Sequence, residues 1–184
     1  MNNFTCTSGR CIDIRLATLG DLDAISLLNK KWIVNSFDIP NKEDGFLLCD
    51  EYNSEDLSNI ILAQDTAVAC SDGAVVAYYI NDNCSSLLDQ YNLAISNLKE
   101  KNLIPADSRV SIRTQIVVDR EFQRLGIPKA MLDFLVPFLK EKYNFLFSIG
   151  VNENPKRAAH QKVGWKIVDE DDLNYYCLYD LRTQ

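Results

Sequence analysis

The dipeptide Asp72-Gly73 stands between two apolar runs, Thr66–Ser71 and Ala74–Ile80. A two-residue turn of this type needs positive φ, which Gly adopts freely and Asp tolerates, and its twist suits two strands closing as a hairpin. An antiparallel ribbon therefore lies near the middle of the chain. Upstream, Ile12–Ala17 alternates apolar and polar residues and reads as a strand. Thr18 or Asp21 can then cap a helix carrying Ile25, Leu27, Leu28 and Trp32 to about Val34. Residues 36–53 have no period. Ser54 to Ala63 opens on a capping residue with acids behind it, which favours a short helix.

Downstream of the hairpin, Leu87, Leu88, Tyr91, Ile95 and Leu98 recur at helical spacing within 85–101. Ser111–Val118 is a β-branched strand. Leu125–Tyr143 is an amphipathic helix in which Pro137 predicts a kink, since it removes a donor and clashes with the preceding turn. Phe145–Val151 is a continuous apolar run, as in a buried strand. Pro155–Val163 is a helix stopped by Gly164, and Trp165–Val168 and Tyr175–Leu181 close the chain as strands. The pattern is one mixed α+β sheet domain over 1–184, with residues 1–11 expected as a flexible tail.

With 184 residues the chain can bury one core but hardly two. A net charge of −7 makes a poor nucleic-acid binder, because phosphate neutralisation needs clustered Lys and Arg. The first eleven residues contain no apolar signal-peptide core, and no run approaches a membrane span, so a cytoplasmic protein with no membrane partner is expected. The six cysteines then read as reduced thiols. Cys49, Cys70, Cys84 and Cys177 lie in or beside apolar segments, where burial is the common fate of a small thiol. With one His and no CxxC pair, no metal site is expected.

The stretch with chemical content runs from Ser111 to Trp165. Strand 111–118 passes through Asp119-Arg-Glu-Phe122 into Gln123-Arg-Leu-Gly-Ile-Pro-Lys-Ala130, which opens the amphipathic helix. A turn at a helix N-terminus presents unpaired N–H groups and the positive end of the dipole, a site for a phosphate. Gly126 permits close approach, and Arg124 and Lys129 add charge.

Gln123-x-x-Gly126-x-Pro128 resembles the Gln/Arg-x-x-Gly-x-Gly/Ala signature of the GNAT acetyltransferases. The run from Asn154 through His160 to Lys162-Val-Gly-Trp165 looks like that family's second block. The resemblance implies a three-layer fold whose mostly antiparallel sheet splays between its fourth strand, 111–118, and its fifth, 145–151, near a bulge, with helices on both faces. It implies acetyl-CoA as donor and an amine of a small molecule or peptide as acceptor. Strand residues Ile116, Val117 and Val118 would hold the pantetheine arm. Arg124, Leu125, Gly126, Ile127, Pro128 and Lys129 would hold the pyrophosphate through backbone groups, helped by Gln123. Asn154 would bond the pantetheine or thioester region.

Two departures stand out. Pro128 occupies a position where the family has Gly or Ala and deletes one donor from the cradle. His160 occupies the place where many members carry a Tyr that protonates the leaving thiolate; an imidazole can do this near neutral pH. No general base is assigned: Asp119 and Glu121 read as turn residues, and Asp50 and Glu51 lie in an unoriented loop. Residues 36–53, with Phe46 and Tyr52 at their end, are candidates for one acceptor wall, with Tyr79 and Tyr91 as further pocket aromatics. The 83–108 insert is a candidate acceptor wall, sheet-edge cover or homodimer contact. The rival to an active transferase is an acyl-CoA-binding sensor that has lost its chemistry.

Overall fold

The computed structural model describes residues 2–5, 11–33, 46–47, 51–85 and 87–183, with the backbone alone given for residues 2–5. Among the described residues eight strands form one sheet: β1 (Asn2–Thr5), β2 (Cys11–Leu16), β3 (Ala67–Ser71), β4 (Ala74–Asp82), β5 (Val110–Val118), β6 (Phe145–Val151), β7 (Lys166–Glu170) and β8 (Asn174–Asp180). Their spatial order is β1-β2-β3-β4-β5-β6-β8-β7. Every neighbouring pair is antiparallel except β5 with β6. The expected tail thus contributes an edge strand, with Asn2–Thr5 pairing against Ile14–Cys11. That pairing lies outside the reach of local periodicity. The additional strand makes the parallel pair fifth and sixth in the chain, at the segments expected. At the hairpin, Asp72 and Gly73 both take positive φ, at 50° and 80°.

Among the described residues five helices cover the sheet: α1 (Leu22–Lys30), α2 (Ser54–Leu62), α3 (Asp89–Glu100), α4 (Ile127–Leu139) and α5 (Arg157–Lys162). Asn53 caps α2 by accepting from the Asp56 N–H at 2.8 Å. Ahead of α1, Asp21 accepts from the Thr18 N–H at 2.8 Å and both guanidinium arms of Arg15 at 2.7 Å. The Arg15 bonds and those from Thr18 hold the Asp21 carboxyl down at about 2.

α4 lies on one face, where Ile127, Met131, Leu132, Leu135 and Leu139 pack against Ile12, Ile14, Ala69, Ala77 and Leu146. Each such buried side chain contributes about 1.5–3 kcal/mol relative to exposure. The helix stops at Leu139 instead of Tyr143, two residues after Pro137. Proline withholds a donor from the last turn and crowds the Asp133 carbonyl. On the opposite face α1 and α2 cover β3 and β4 with Ile25, Leu28, Leu57, Ile60 and Ile61. There α3 covers the other half of the sheet, where Leu88, Tyr91 and Leu98 meet Ile112, Phe145, Phe147 and Leu178. The 83–108 insert is therefore a lid over a sheet face and not a cover for an edge. Cys70 and Cys177 are buried, whereas Cys84 is exposed. Among the described residues no helix is long and apolar enough to cross a membrane.

Candidate functional site

β5 and β6 pair only at Val110–Ile112 with Phe145–Phe147. Past that rung β5 stays with β4 and β6 stays with β8, so the two strands part. The closed apex of the cleft is tied by Ser148, whose hydroxyl donates to the Arg113 carbonyl at 2.8 Å. A bulge lies beside it: Ile80 faces Gln115 and Asn81 faces Arg113, leaving Thr114 as an extra residue on β5. The extra residue turns the strand and ends the period-two alternation there. Ile116 and Val118 are half-buried on the α4 face, and Val117 is buried among the α1–α2 layer. Among the described residues no strand pairs with the β6-facing edge of β5 beyond Ile112, so its backbone groups can take an extended ligand as an added strand.

The same strand leads through a single turn at Arg120–Phe122 into the start of α4. Arg124 and Gly126 have φ of 64° and 82°. Left-handed residues in such a turn direct successive N–H groups towards one side, forming a concave anion site. The buried Ile127 anchors the turn to the core. The first helical bond runs from the Ala130 N–H to the Gly126 carbonyl at 3.1 Å, so earlier N–H groups have no intrahelical acceptor. Pro128, in the first turn, supplies none. Arg124 and Lys129 are exposed, Lys129 with Asp133 at 2.5 Å, and Lys156 donates to Gln123 Oε1 at 3.4 Å. A chain with a net charge of −7 thus gathers three cations and a helix N-terminus at one turn, as an anionic ligand requires.

The far wall is built by α5, β6 and β8. His160 on α5 has its Nδ1 2.8 Å from the Tyr175 hydroxyl. Tyr175 reaches this point by lying across Gly150, where an added Cβ would come within 2.1 Å of the ring. Burial, and then the positive charge of Arg113, hold the imidazole down at about 3. Burial pushes the Tyr175 phenol up to about 12. Both shifts favour the neutral forms at pH 7, because burial and a neighbouring cation move the imidazole away from its reference value. Arg113 is 4% exposed, stacks over Trp165 at 4.8 Å from the ring centroid, and leaves its buried Nε without a partner.

The opposite face of the cleft carries two buried polar groups. Asn29 donates to Gln115 Oε1 at 2.7 Å and to the Tyr78 hydroxyl at 2.8 Å. Tyr52 donates to Asp82 at 2.9 Å and lies 2.7 Å from Thr114 Oγ1 at the bulge. Burial and the Asp82 charge push the Tyr52 phenol well above its ordinary value. Tyr52 is buried in the α1–α2 core and Phe46 is buried as well, whereas Tyr79 belongs to the α4 core and Tyr91 to the α3 core. Asn154 does not point its amide freely into the cleft: it donates to the Phe46 carbonyl at 3.0 Å and accepts from the Lys156 N–H at 2.9 Å. Glu51 is exposed and paired with Lys30 at 3.1 Å, Asp119 pairs with Lys31 at 3.1 Å, and Asp50 lies outside the described residues. Sequence reasoning missed Tyr175 and the burial of Arg113. A glycine inside the apolar run 145–151 was the available signal, since it marks a close approach.

No family model and no curated protein matches the chain. Solved structures do. The GNAT domain of S. lividans PAT superposes with a TM-score of 0.68 at 12% identity, covering 97% of this chain and 96% of that one. PaiA N-acetyltransferase from Thermoplasma acidophilum, solved with coenzyme A, gives 0.63 at 14% identity over 92% of this chain and 98% of that one. A GNAT-family acetyltransferase from Listeria monocytogenes gives 0.62 at 16% over 97% and 99%. The fold is the GNAT acetyltransferase fold.

Proposed function

We propose that the chain is an acyl-CoA-dependent N-acyltransferase acting on an amine of a small molecule or peptide, with acetyl-CoA as the simplest donor. One observation carries the reading: the unpartnered edge of β5 runs directly into a cationic, left-handed turn at the start of α4. An extended arm ending in a pyrophosphate needs both, in that order. The solved relative holding coenzyme A supports the same assignment.

In this reading the backbone from Arg124 to Lys129 receives the pyrophosphate with Gln123 beside it, and Ile116 and Val118 receive the pantetheine amides. Asn154 acts by fixing Phe46 against the cleft. The amine approaches from the Tyr52 side and its lone pair attacks the thioester carbon. The C–N bond forms, the C–S bond breaks, and the amine proton passes to water. Holding the two reactants together supplies much of the rate. In the tautomer in which the Tyr175 hydroxyl donates to Nδ1 of His160, Nε2–H is left to hydrogen-bond the departing thiolate. His160 therefore stabilises the leaving group as a neutral donor.

Thiol release from acetyl-CoA across a panel of primary amines tests this. Amine-dependent release supports the transferase. Tight CoA binding with no release on any amine would replace it with the non-catalytic acyl-CoA sensor.

A further inference from the structure

A guanidinium that is nearly fully buried without a carboxylate is costly, and a folded chain keeps one where a ligand brings the opposite charge. Arg113 is in that position. It is 4% exposed, its Nε has no partner, and no ion pair among the described residues reaches it. Its side-chain neighbours are the Trp165 ring, the Cys177 thiol as a weak hydrogen-bond acceptor, and the neutral groups of His160, Tyr79 and Tyr175, none of which is a carboxylate. Stacking on Trp165 occupies the face of the guanidinium and leaves the donors along its edge available. The Tyr79 hydroxyl, on the strand paired to β5 and on the same face, is likewise buried and unpartnered. Arg113 also marks a particular point in the cleft. It is the first β5 residue beyond the last rung shared with β6, and Ser148 ties its carbonyl.

We infer that the cleft accepts a thioester whose acyl chain ends in a carboxylate, and that Arg113 receives that carboxylate at the closed apex. The inference rests on the acyl-CoA reading above and narrows its donor. An arm lying along Ile116–Val118 enters from the open end, and Arg113 is three residues further in, about 10 Å at strand spacing. A diacid chain extends the ligand in that direction, whereas an acetyl group stops short. The planar guanidinium suits a two-oxygen acceptor, and the Tyr79 hydroxyl adds a donor.

Calorimetric titration of the whole chain with CoA, acetyl-CoA and succinyl-CoA tests this, with Arg113→Met and Arg113→Lys alongside and thermal melts to verify folding. Succinyl-CoA should bind about tenfold to a hundredfold more tightly than acetyl-CoA, the range for a charge-assisted bond. In Arg113→Met that ratio should collapse towards unity, and Arg113→Lys should retain part of it. Equal affinities in the parent protein would overturn the inference and leave a buried water as the partner of Nε. So would a preference that survives Arg113→Met. Failure of CoA itself to bind is a different result, and removes the acyl-CoA reading beneath it.

Discussion

Replacing Gly150 with alanine places a methyl group inside the Tyr175 phenol. The new Cβ would stand 2.1 Å from Cζ, 2.3 Å from the hydroxyl oxygen and 2.5 Å from Cε1. Ordinary carbon contacts begin near 3.4 Å, so the ring must retreat by more than an ångström. It has little room: Arg157 lies over it at 5.1 Å and His160 holds its hydroxyl at 2.8 Å. Overpacking of this kind costs about 1–3 kcal/mol, and a lost buried hydrogen bond about 1 more. At 2–4 °C per kcal/mol for a chain of this size, the melting temperature should drop by roughly 5–15 °C. Urea denaturation of Gly150→Ala, Tyr175→Ala and the double variant isolates the cause. With the phenol gone, the alanine methyl should cost less than about 0.5 kcal/mol, giving a coupling energy above about 1.5 kcal/mol. Turnover should fall with stability in the single variant, because His160 loses its partner. An equal cost of Gly150→Ala in both backgrounds would show that Tyr175 does not cross β6 at this point.

Other groups give separate tests. Asp21→Asn removes a carboxylate held at about 2 by Arg15 and Thr18, and should cost about 2–3 kcal/mol near neutral pH. Because the folded value is depressed, that stability is complete above the unfolded value of 3.8 and is lost as pH falls through 2. Urea midpoints of parent and variant should therefore converge between about pH 4 and pH 2. His160 is the single histidine, so its ring NMR signals are unambiguous; with a value near 3 they should not move between pH 5 and pH 8. A titration midpoint near 6.5 would restore the imidazolium acid and remove the neutral-donor role. Pro128→Ala returns an N–H to the first turn of α4 and should tighten CoA binding about fivefold to tenfold if that group faces the phosphates. Unchanged affinity would place the pyrophosphate away from the turn.

Much of this molecule is legible from local rules. Asp72-Gly73 marks its hairpin, and the stripe from Ile127 to Leu139 marks α4, because turn chemistry and amphipathic period act over a few residues. The turn at Gln123–Gly126 is legible for the same reason, and Gly126 has the left-handed φ that such a turn uses. What was not legible depends on partners far along the chain. Residues 2–5 form a strand only because β2 offers an edge. Asn154 meets the Phe46 carbonyl 108 positions away, which no spacing announces. The neutrality of His160 follows from burial and from Arg113, on another strand. Arg113 itself lies in an alternating strand, and the Thr114 bulge puts it on the same side as Ile116, three residues away.

The central claim is that the parting of β5 from β6 and the turn at Arg124–Gly126 form one binding site for an acyl-CoA. Isothermal titration of the intact chain with CoA, repeated with Gly126→Val, tests it most directly. Valine disfavours positive φ and crowds the turn, so the account predicts one-site CoA binding in the parent and a loss of about tenfold or more in the variant. No heat of binding at millimolar CoA, or equal affinity in both proteins, would contradict it.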